Sequence, residues 1–416
     1  MTPKRMTPYL TFVVEIIIIY VALRIMDFNQ TMGGMWIAPY LSAALNFDWS
    51  TLSLWVSPEE VKLFASLDKE SMFNYHFTST ISLSSYDYLS KGLVFFIVLA
   101  KKIFFWMGDL EALQYLQYSV HILISLFFIS LFQKKYQKVL FFILYAVNPL
   151  VLWVANHPFY YFWQVIPSAI FLYWYFKRNI SLVLLLLFSI VFALVYITRP
   201  TVLFLILFFY ILYAIKTNLR DSLMGIMLFG LLINLAPSLS KGPWHTAYIG
   251  VGAYENSYHI KLDDRDGYKL YYQKSGKIID SNSIMDKKNK EAYYGVLKEE
   301  VLQMIEETPL LFMRNALYNT IQAYGVGYSY HLYQKFGNSI VYAEILLALT
   351  VILLLLYTKQ YILFLAIGLS SGSFTLYYPP ILTYMFGNII LIVVAIIGTV
   401  DFFVEKRRSV NVSSNG

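Results

Sequence analysis

The chain has no cysteine among its 416 residues, so disulfides and thiolate metal sites are excluded. Charge is scarce as well. Asp, Glu, Lys and Arg make up 14% of the residues, where an ordinary soluble domain carries about 25%. No internal repeat is evident, which argues against a solenoid or a doubled transporter. What is abundant is apolar surface. Hydrophobic residues reach 58% and mean hydropathy is +0.57. Several runs exceed the roughly 20 apolar residues needed to cross a bilayer. The expected fold class is therefore all-α, a polytopic membrane protein with about ten transmembrane helices.

Hydropathy places the spans at 9–25, 111–133, 139–155, 159–176, 180–197, 201–215, 222–239, 339–357, 361–377 and 381–403. The first has no small-residue cleavage site and reads as a retained helix. A cytoplasmic N-terminus puts 13 basic residues inside: Lys4, Arg5, Lys134, Lys135, Lys138, Lys177, Arg178, Lys216, Arg220, Lys359, Lys406, Arg407 and Arg408. The short outer loops at 156–158, 198–200 and 378–380 hold only Arg199. That asymmetry sets the orientation, with both termini cytoplasmic, and it accounts for the net charge of +7 without nucleic acid. Gly92–Trp106 and Leu310–Tyr330 are apolar but interrupted by charge. If either crossed, the later basic clusters would flip outward, so both are expected to be interfacial helices.

The resulting organisation is a first helix (1–25), a first extracytoplasmic loop (26–110), spans two to seven (111–239), a second extracytoplasmic loop (240–338), spans eight to ten (339–404) and a cytoplasmic tail (405–416). In the first loop, Trp36–Leu45 and Glu59–Leu67 read as amphipathic pieces, followed by a Ser/Tyr-rich stretch from Ser79 to Ser90. In the second, a helix from about Lys287 to Glu306 is expected to bury Ala292, Val296, Leu297, Val301, Met304 and Ile305. Thr308 and Pro309 end it and start the next helix. The 36 tyrosines and 32 phenylalanines fit interfacial belts, with a few free to stack on sugars. Asp27 stands where the first span runs out, ahead of a long loop, which is a place to build a site at a membrane surface.

Five landmarks in order carry a family resemblance: "RIMDFNQ" with Asp27, the interfacial-helix-to-span run "YDYLSKGLVFFIVLAKKIFFWMGDLEALQYLQYSV", "ILYAVNPLVLWVANHPFYYFW", "LVYITRPTVLFLILFFYIL" and "YYPPILTYMFGNIILIV". Together, from residue 10 to about 400, the chain resembles the GT-C-fold membrane glycosyltransferases, the group that includes protein O-mannosyltransferases and lipid A aminoarabinose transferases. It departs from the best-known members in lacking an Asp-Asp or Asp-Glu pair after the first span, which counts against metal-dependent chemistry. The resemblance implies a GT-C-like architecture in a bacterial plasma membrane. It also implies a polyprenyl-phosphate sugar donor, a glycan, lipid or protein acceptor, and no certain cofactor, with a divalent metal still open. A polysaccharide-repeat polymerase shares this donor and location. A lipid-linked-sugar flippase is the alternative of a different class.

Such a reaction needs a base beside the acceptor hydroxyl and positive charge at the leaving phosphate. Asp27 is the candidate base, although a helix-end charge in water fits the same pattern. Asp48 and Asp87, the other first-loop carboxylates, read as solvated surface. Arg199, before Pro200 at a helix start, is the first candidate for phosphate, since its fork takes an anion by two bonds. Lys241 and His245 follow span seven and join it. Possible substrate contacts are His157 in an outer turn, Trp244, Tyr248, Glu255 and Asn256 in the second loop, and Arg314 on the interfacial helix. The run Asp263–Gly267 lacks the ligand pattern of a calcium loop and reads as a solvated turn. Glu15 and His121 lie within spans and show no evident partner, which keeps the transporter reading open.

Overall fold

The computed structural model describes residues 3–26, 30–46, 54–78, 84–85, 90–235, 243–279, 287–327, 333 and 335–413. The chain is helical throughout; the one β feature among the described residues is a pairing of Trp55–Val56 with Ser84–Ser85. Helices occupy all ten segments expected to span. They are α1 (Pro3–Ile25), α6 (Asp109–Leu131), α7 and α8 (Lys135–Phe141, Pro149–Asn156), α9 (Val165–Lys177), α10 (Leu182–Thr198), α11 (Leu203–Lys216), α12 (Leu219–Leu235), α17 (Asn338–Tyr357), α18 (Tyr361–Ser371) and α19 (Leu382–Ser413). Three stretches among the described residues, Asp109–Leu131, Ser339–Tyr357 and Leu382–Ser409, are long and apolar enough to cross a membrane, or four if a bent pair counts as one. α10, α11 and α18 are apolar but shorter. At 1.5 Å per residue, a 17-residue helix such as α10 rises about 25 Å, short of a 30 Å hydrocarbon core.

Two of the expected spans differ in form. The segment 139–155 is not one straight helix. A π-turn at Phe142–Ala146 follows α7, and α8 then leaves at 48°. Asn148 caps α8 by accepting from the Leu150 amide at 2.9 Å, with Pro149 in the first turn. A π-turn misaligns the backbone ladder, and the Ala146 carbonyl meets the His121 Nε2 at 2.9 Å. His121 thus has a partner that a linear reading does not show. The segment 361–377 is helical only to Ser371, where Ser370 and Ser371 turn their hydroxyls back onto the Ile367 carbonyl.

The described residues between α1 and α6 fold into the main core. α2 (Gln30–Leu45) buries Ile37, Tyr40 and Leu41, and α3 (Pro58–Ser66) buries Phe64. Glu60, in the first turn of α3, is buried and accepts from the Tyr75 hydroxyl (3.2 Å) and the Thr78 amide (2.8 Å). α4 spans Lys69–Asn74; most of the Ser79–Ser90 stretch, Asp87 included, lies outside the described residues, as does Asp48. The expected interfacial helix is α5 (Gly92–Ile103). Its Gly92 crosses α10 so closely that a Cβ would stand 2.3 Å from the Thr198 Oγ1.

The region after α12, expected to be the second external loop, has its own tyrosine-rich core, built by α13 (Trp244–Gly250), α14 (Asp264–Ser275), α15 (Lys287–Glu307) and α16 (Pro309–Gln322). Helix α15 is where the periodicity placed it, and the middle of its stripe holds: Leu297, Val301 and Met304 are buried and Val296 is partly buried. The ends differ, since Ala292 and Ile305 are exposed and Tyr293 is buried instead. Asp263–Gly267 is not merely a turn. Asp263 caps α14 by accepting from the Arg265 amide at 2.9 Å, and Asp264 and Asp266 sit in the first turn, where the helix dipole favours anions.

Candidate functional site

One end of the helical bundle is organised by a turn at the end of α10. Arg199 leaves α10 with its amide bonded to the Val195 carbonyl, and Pro200 opens the 3-10 turn that leads into α11. The guanidinium is enclosed by three tyrosine rings. Its carbon stands 5.1 Å from the ring centre of Tyr160, 4.8 Å from Tyr161 and 4.2 Å from Tyr384. Tyr160 and Tyr161 come from the turn after α8, and Tyr384 from the start of α19 behind Pro379 and Pro380. The aromatic faces satisfy the cation electrostatically. The Tyr384 side chain also hydrogen-bonds the guanidinium, but Nε and Nη2 are buried without a hydrogen-bond partner. These two nitrogens form one edge of the guanidinium, the edge that binds two oxygens of a phosphate or carboxylate. A buried charged donor without a partner costs more than the roughly 1–3 kcal/mol of a neutral one. An unfilled fork held in place by three rings therefore reads as a seat for an anion.

Arg314 makes the contrast. Its Nε and Nη2 both point at the Asn315 Oδ1 (3.2 and 2.9 Å), and Nη2 also reaches the Glu255 carbonyl at 2.8 Å. That fork is consumed inside the protein. Other second-loop residues are similarly committed. Asn256 donates to the carbonyls of Tyr254 and Ile260 and accepts from the Ile260 amide, so it braces its own loop. Glu255 has an exposed side chain, and its carbonyl holds Arg314. His245 has both ring nitrogens engaged, Nδ1 with the Tyr293 hydroxyl at 2.7 Å and Nε2 with Asp264 at 3.1 Å. Trp244 lies under the Lys298 ammonium at 5.8 Å. Tyr248 is buried, and burial, with Glu300 and Asp266 adding to it, pushes its hydroxyl up to about 12.

His157 closes α8. Its Nδ1 meets the Trp153 carbonyl at 2.6 Å and its ring packs on Trp153. Trp153, His157, Phe159, Tyr161 and Thr383 line a small cleft. On the other side of the Arg199 cage, Gln164, Ser168, Tyr384, Gly387 and Asn388 line a second. Each has room for little more than one water. Tyr161 and Tyr384 therefore serve both as walls of the clefts and as faces of the cage.

A buried polar network fixes this end of the bundle to α1. Gln114 donates to the Asn156 carbonyl (2.8 Å) and to its Oδ1 (3.1 Å), and the Tyr118 hydroxyl also bonds that oxygen. The Asn156 Nδ2 donates to the Met26 carbonyl at 2.7 Å. Gln117 donates to the carbonyls of Ala155 and His157 and accepts from the Phe159 amide at 3.0 Å. Asp27 itself, and Lys241, lie outside the described residues. Among the described residues no group of three or more His, Asp or Glu side chains could hold a metal ion.

The second external region docks directly beside the cage. A Cβ on Gly250 of α13 would stand 2.2 Å from the Tyr377 carbonyl, so only glycine allows this approach. Tyr384 packs partly against the core of that region. The structure thus brings Arg199 and His157 into one neighbourhood, and places His245, Tyr248, Asn256 and Arg314 in the adjoining unit. Tyr160, Tyr161 and Tyr384 went unremarked as site residues. Their only linear signal is aromatic density in "HPFYYFW" and "YYPPILTYMF", which reads equally as a membrane belt. Compared with known proteins, the chain matches no family model, no curated protein and no solved structure.

Proposed function

We propose that the protein is an integral-membrane glycosyltransferase. It moves a sugar from a polyprenyl-phosphate carrier to a glycan, lipid or protein acceptor at the extracytoplasmic face of a bacterial plasma membrane. The observation that carries this reading is the buried, unpartnered Nε/Nη2 edge of Arg199 inside its tyrosine cage. A phosphate seated there gains two charge-assisted hydrogen bonds in a water-poor setting, and the negative charge that develops on it as the glycosidic bond breaks is held at the same edge. Asp27 takes the proton from the acceptor hydroxyl. The helix that leads to it is tied down at Met26 by Asn156. Tyrosine faces at 160, 161 and 384 stack beside the sugar or the carrier.

The transporter reading remains the alternative of a different class: His121 Nε2 meets the carbonyl of a π-turn, while its Nδ1 is buried without a hydrogen-bond partner. The test uses purified protein in nanodiscs with a short-chain polyprenyl phosphate carrying a radiolabelled hexose. Transfer to acceptor with release of polyprenyl phosphate is expected from the natural protein, and none from Asp27→Asn at unchanged folding. Full transfer by Asp27→Asn removes Asp27 as the base, and donor flipping without bond cleavage sinks the enzyme reading. Product length separates single transfer from repeat polymerisation.

A further inference from the structure

Helix α16 is turned inside out. Its polar residues Asn315, Asn319 and Gln322 are 6%, 1% and 1% exposed, spaced four and three residues apart on one face. They are held there by a bonded set: Asn319 accepts from the Tyr254 hydroxyl at 2.7 Å, Gln322 donates to that oxygen at 2.9 Å, and Asn315 takes Arg314. The opposite face carries Leu310, Met313 and Leu317, at 76%, 66% and 58% exposure. A helix that meets water places its residues the other way round.

We propose that the apolar face of α16 lies in the acyl region of the outer leaflet, so that the second external region is seated in the bilayer and does not stand in water above it. Three observations select lipid as the occupant. The outward face at 310, 313 and 317 contains no charge. The helix packs directly against α17, one of the helices of membrane-spanning length, whose Leu346, Leu349 and Leu353 are also turned outward. The charges nearest the face lie at its margins, where headgroups are. Glu306 and Glu307 close α15 just before it, and the Arg314 guanidinium reaches sideways to the Glu255 carbonyl. The inversion itself follows: in lipid the apolar side chains face out, and the polar ones find partners within the protein. This inference holds whether or not the chain transfers sugar.

The cysteine-free sequence allows a direct measurement. Leu310→Cys, Met313→Cys and Leu317→Cys, each carrying a nitroxide, are reconstituted in phosphatidylethanolamine–phosphatidylglycerol nanodiscs. Collision with oxygen is compared with collision with a water-soluble nickel chelate. Leu353→Cys serves as the lipid reference and Lys277→Cys as the aqueous one. Oxygen collisions are expected to exceed nickel collisions several-fold at all three positions, as at Leu353. Nickel dominance overturns the proposal in favour of a water-facing helix. Low collision with both overturns it in favour of a protein partner or a second copy. A photoactivatable acyl-chain lipid applied to the natural protein needs no substitution. Adducts on 309–320 support the proposal, and adducts on α17 without any on α16 refute it.

Discussion

Replacing Arg199 by lysine keeps one positive charge and removes the two-pronged edge. The natural residue offers Nε and Nη2 side by side, both buried and both without a protein partner. Lysine offers a point charge that holds one phosphate oxygen well and the second poorly. The loss is about one charge-assisted hydrogen bond, roughly 1.5–3 kcal/mol, or about 10- to 150-fold in kcat/KM for the lipid-linked donor. Arg199→Gln removes the charge as well, forfeits both bonds and the interaction with three tyrosine faces, and is expected to lower kcat/KM by more than about 100-fold. Arg314→Lys is the internal control. Its fork is already filled by Asn315 and Glu255, so kcat/KM for the donor should stay within about twofold of the natural protein even if stability falls. The assay is initial-rate transfer from labelled donor in nanodiscs, with kcat and KM resolved. Equal rates for Arg199→Lys and the natural protein refute the bidentate seat. Equal losses for Arg199→Lys and Arg199→Gln show that the residue acts by packing alone. A larger loss at Arg314 than at Arg199 moves the anion site to the second external region.

Three further outcomes follow from the same geometry. Asn156→Ala strips partners from the Met26 carbonyl and the Tyr118 hydroxyl; at about 1–3 kcal/mol for each buried group, a Tm lowered by several degrees is expected in a detergent thermal melt, and an unchanged Tm would mean the network is not structural. Gly250→Ala drives a Cβ against the Tyr377 carbonyl and should loosen the second external region from the bundle, seen as faster limited proteolysis within 243–327 while the spans stay protected; equal cleavage rates would count against tight docking. Alkaline titration followed at 295 nm should show Tyr248 and Tyr294 ionising near 12, pushed up mainly by burial. The folded state prefers their neutral form, so their contribution is complete below the ordinary tyrosine value of about 10 and is lost as pH rises through 12; loss of a normal-pH component in Tyr248→Phe would contradict that placement.

Much of the helical architecture was legible because hydropathy is a long-range average. Ten apolar segments coincide with helices, and α15 begins where periodicity put it. What failed was local. The break at Val147–Asn148 depends on a π-turn that no residue type announces, and α18 stops early because serine hydroxyls turn back onto its carbonyls. At the N-terminal end of α15 it is Tyr293 and not Ala292 that is buried, its hydroxyl paired with His245. At the site, Arg199 could be singled out by its isolation in a short outer loop. Its tyrosines could not, since they come from turns more than 180 residues apart in the chain. Nor could sequence separate Arg199 from Arg314: the difference is whether a fork is filled, and Arg314 is filled by its own neighbour Asn315 and a main-chain carbonyl.

The two glutamines on α6 have an electrostatic consequence. Helix α8 ends at Asn156, four residues before the first tyrosine of the Arg199 cage. Its last carbonyls carry the negative end of the helix dipole toward the region where an anion is to be held. Gln114 and Gln117 cover the carbonyls of Ala155, Asn156 and His157 with amide N–H groups. The helix end is thereby screened, and Arg199 can draw an anion without a bare negative pole beside it.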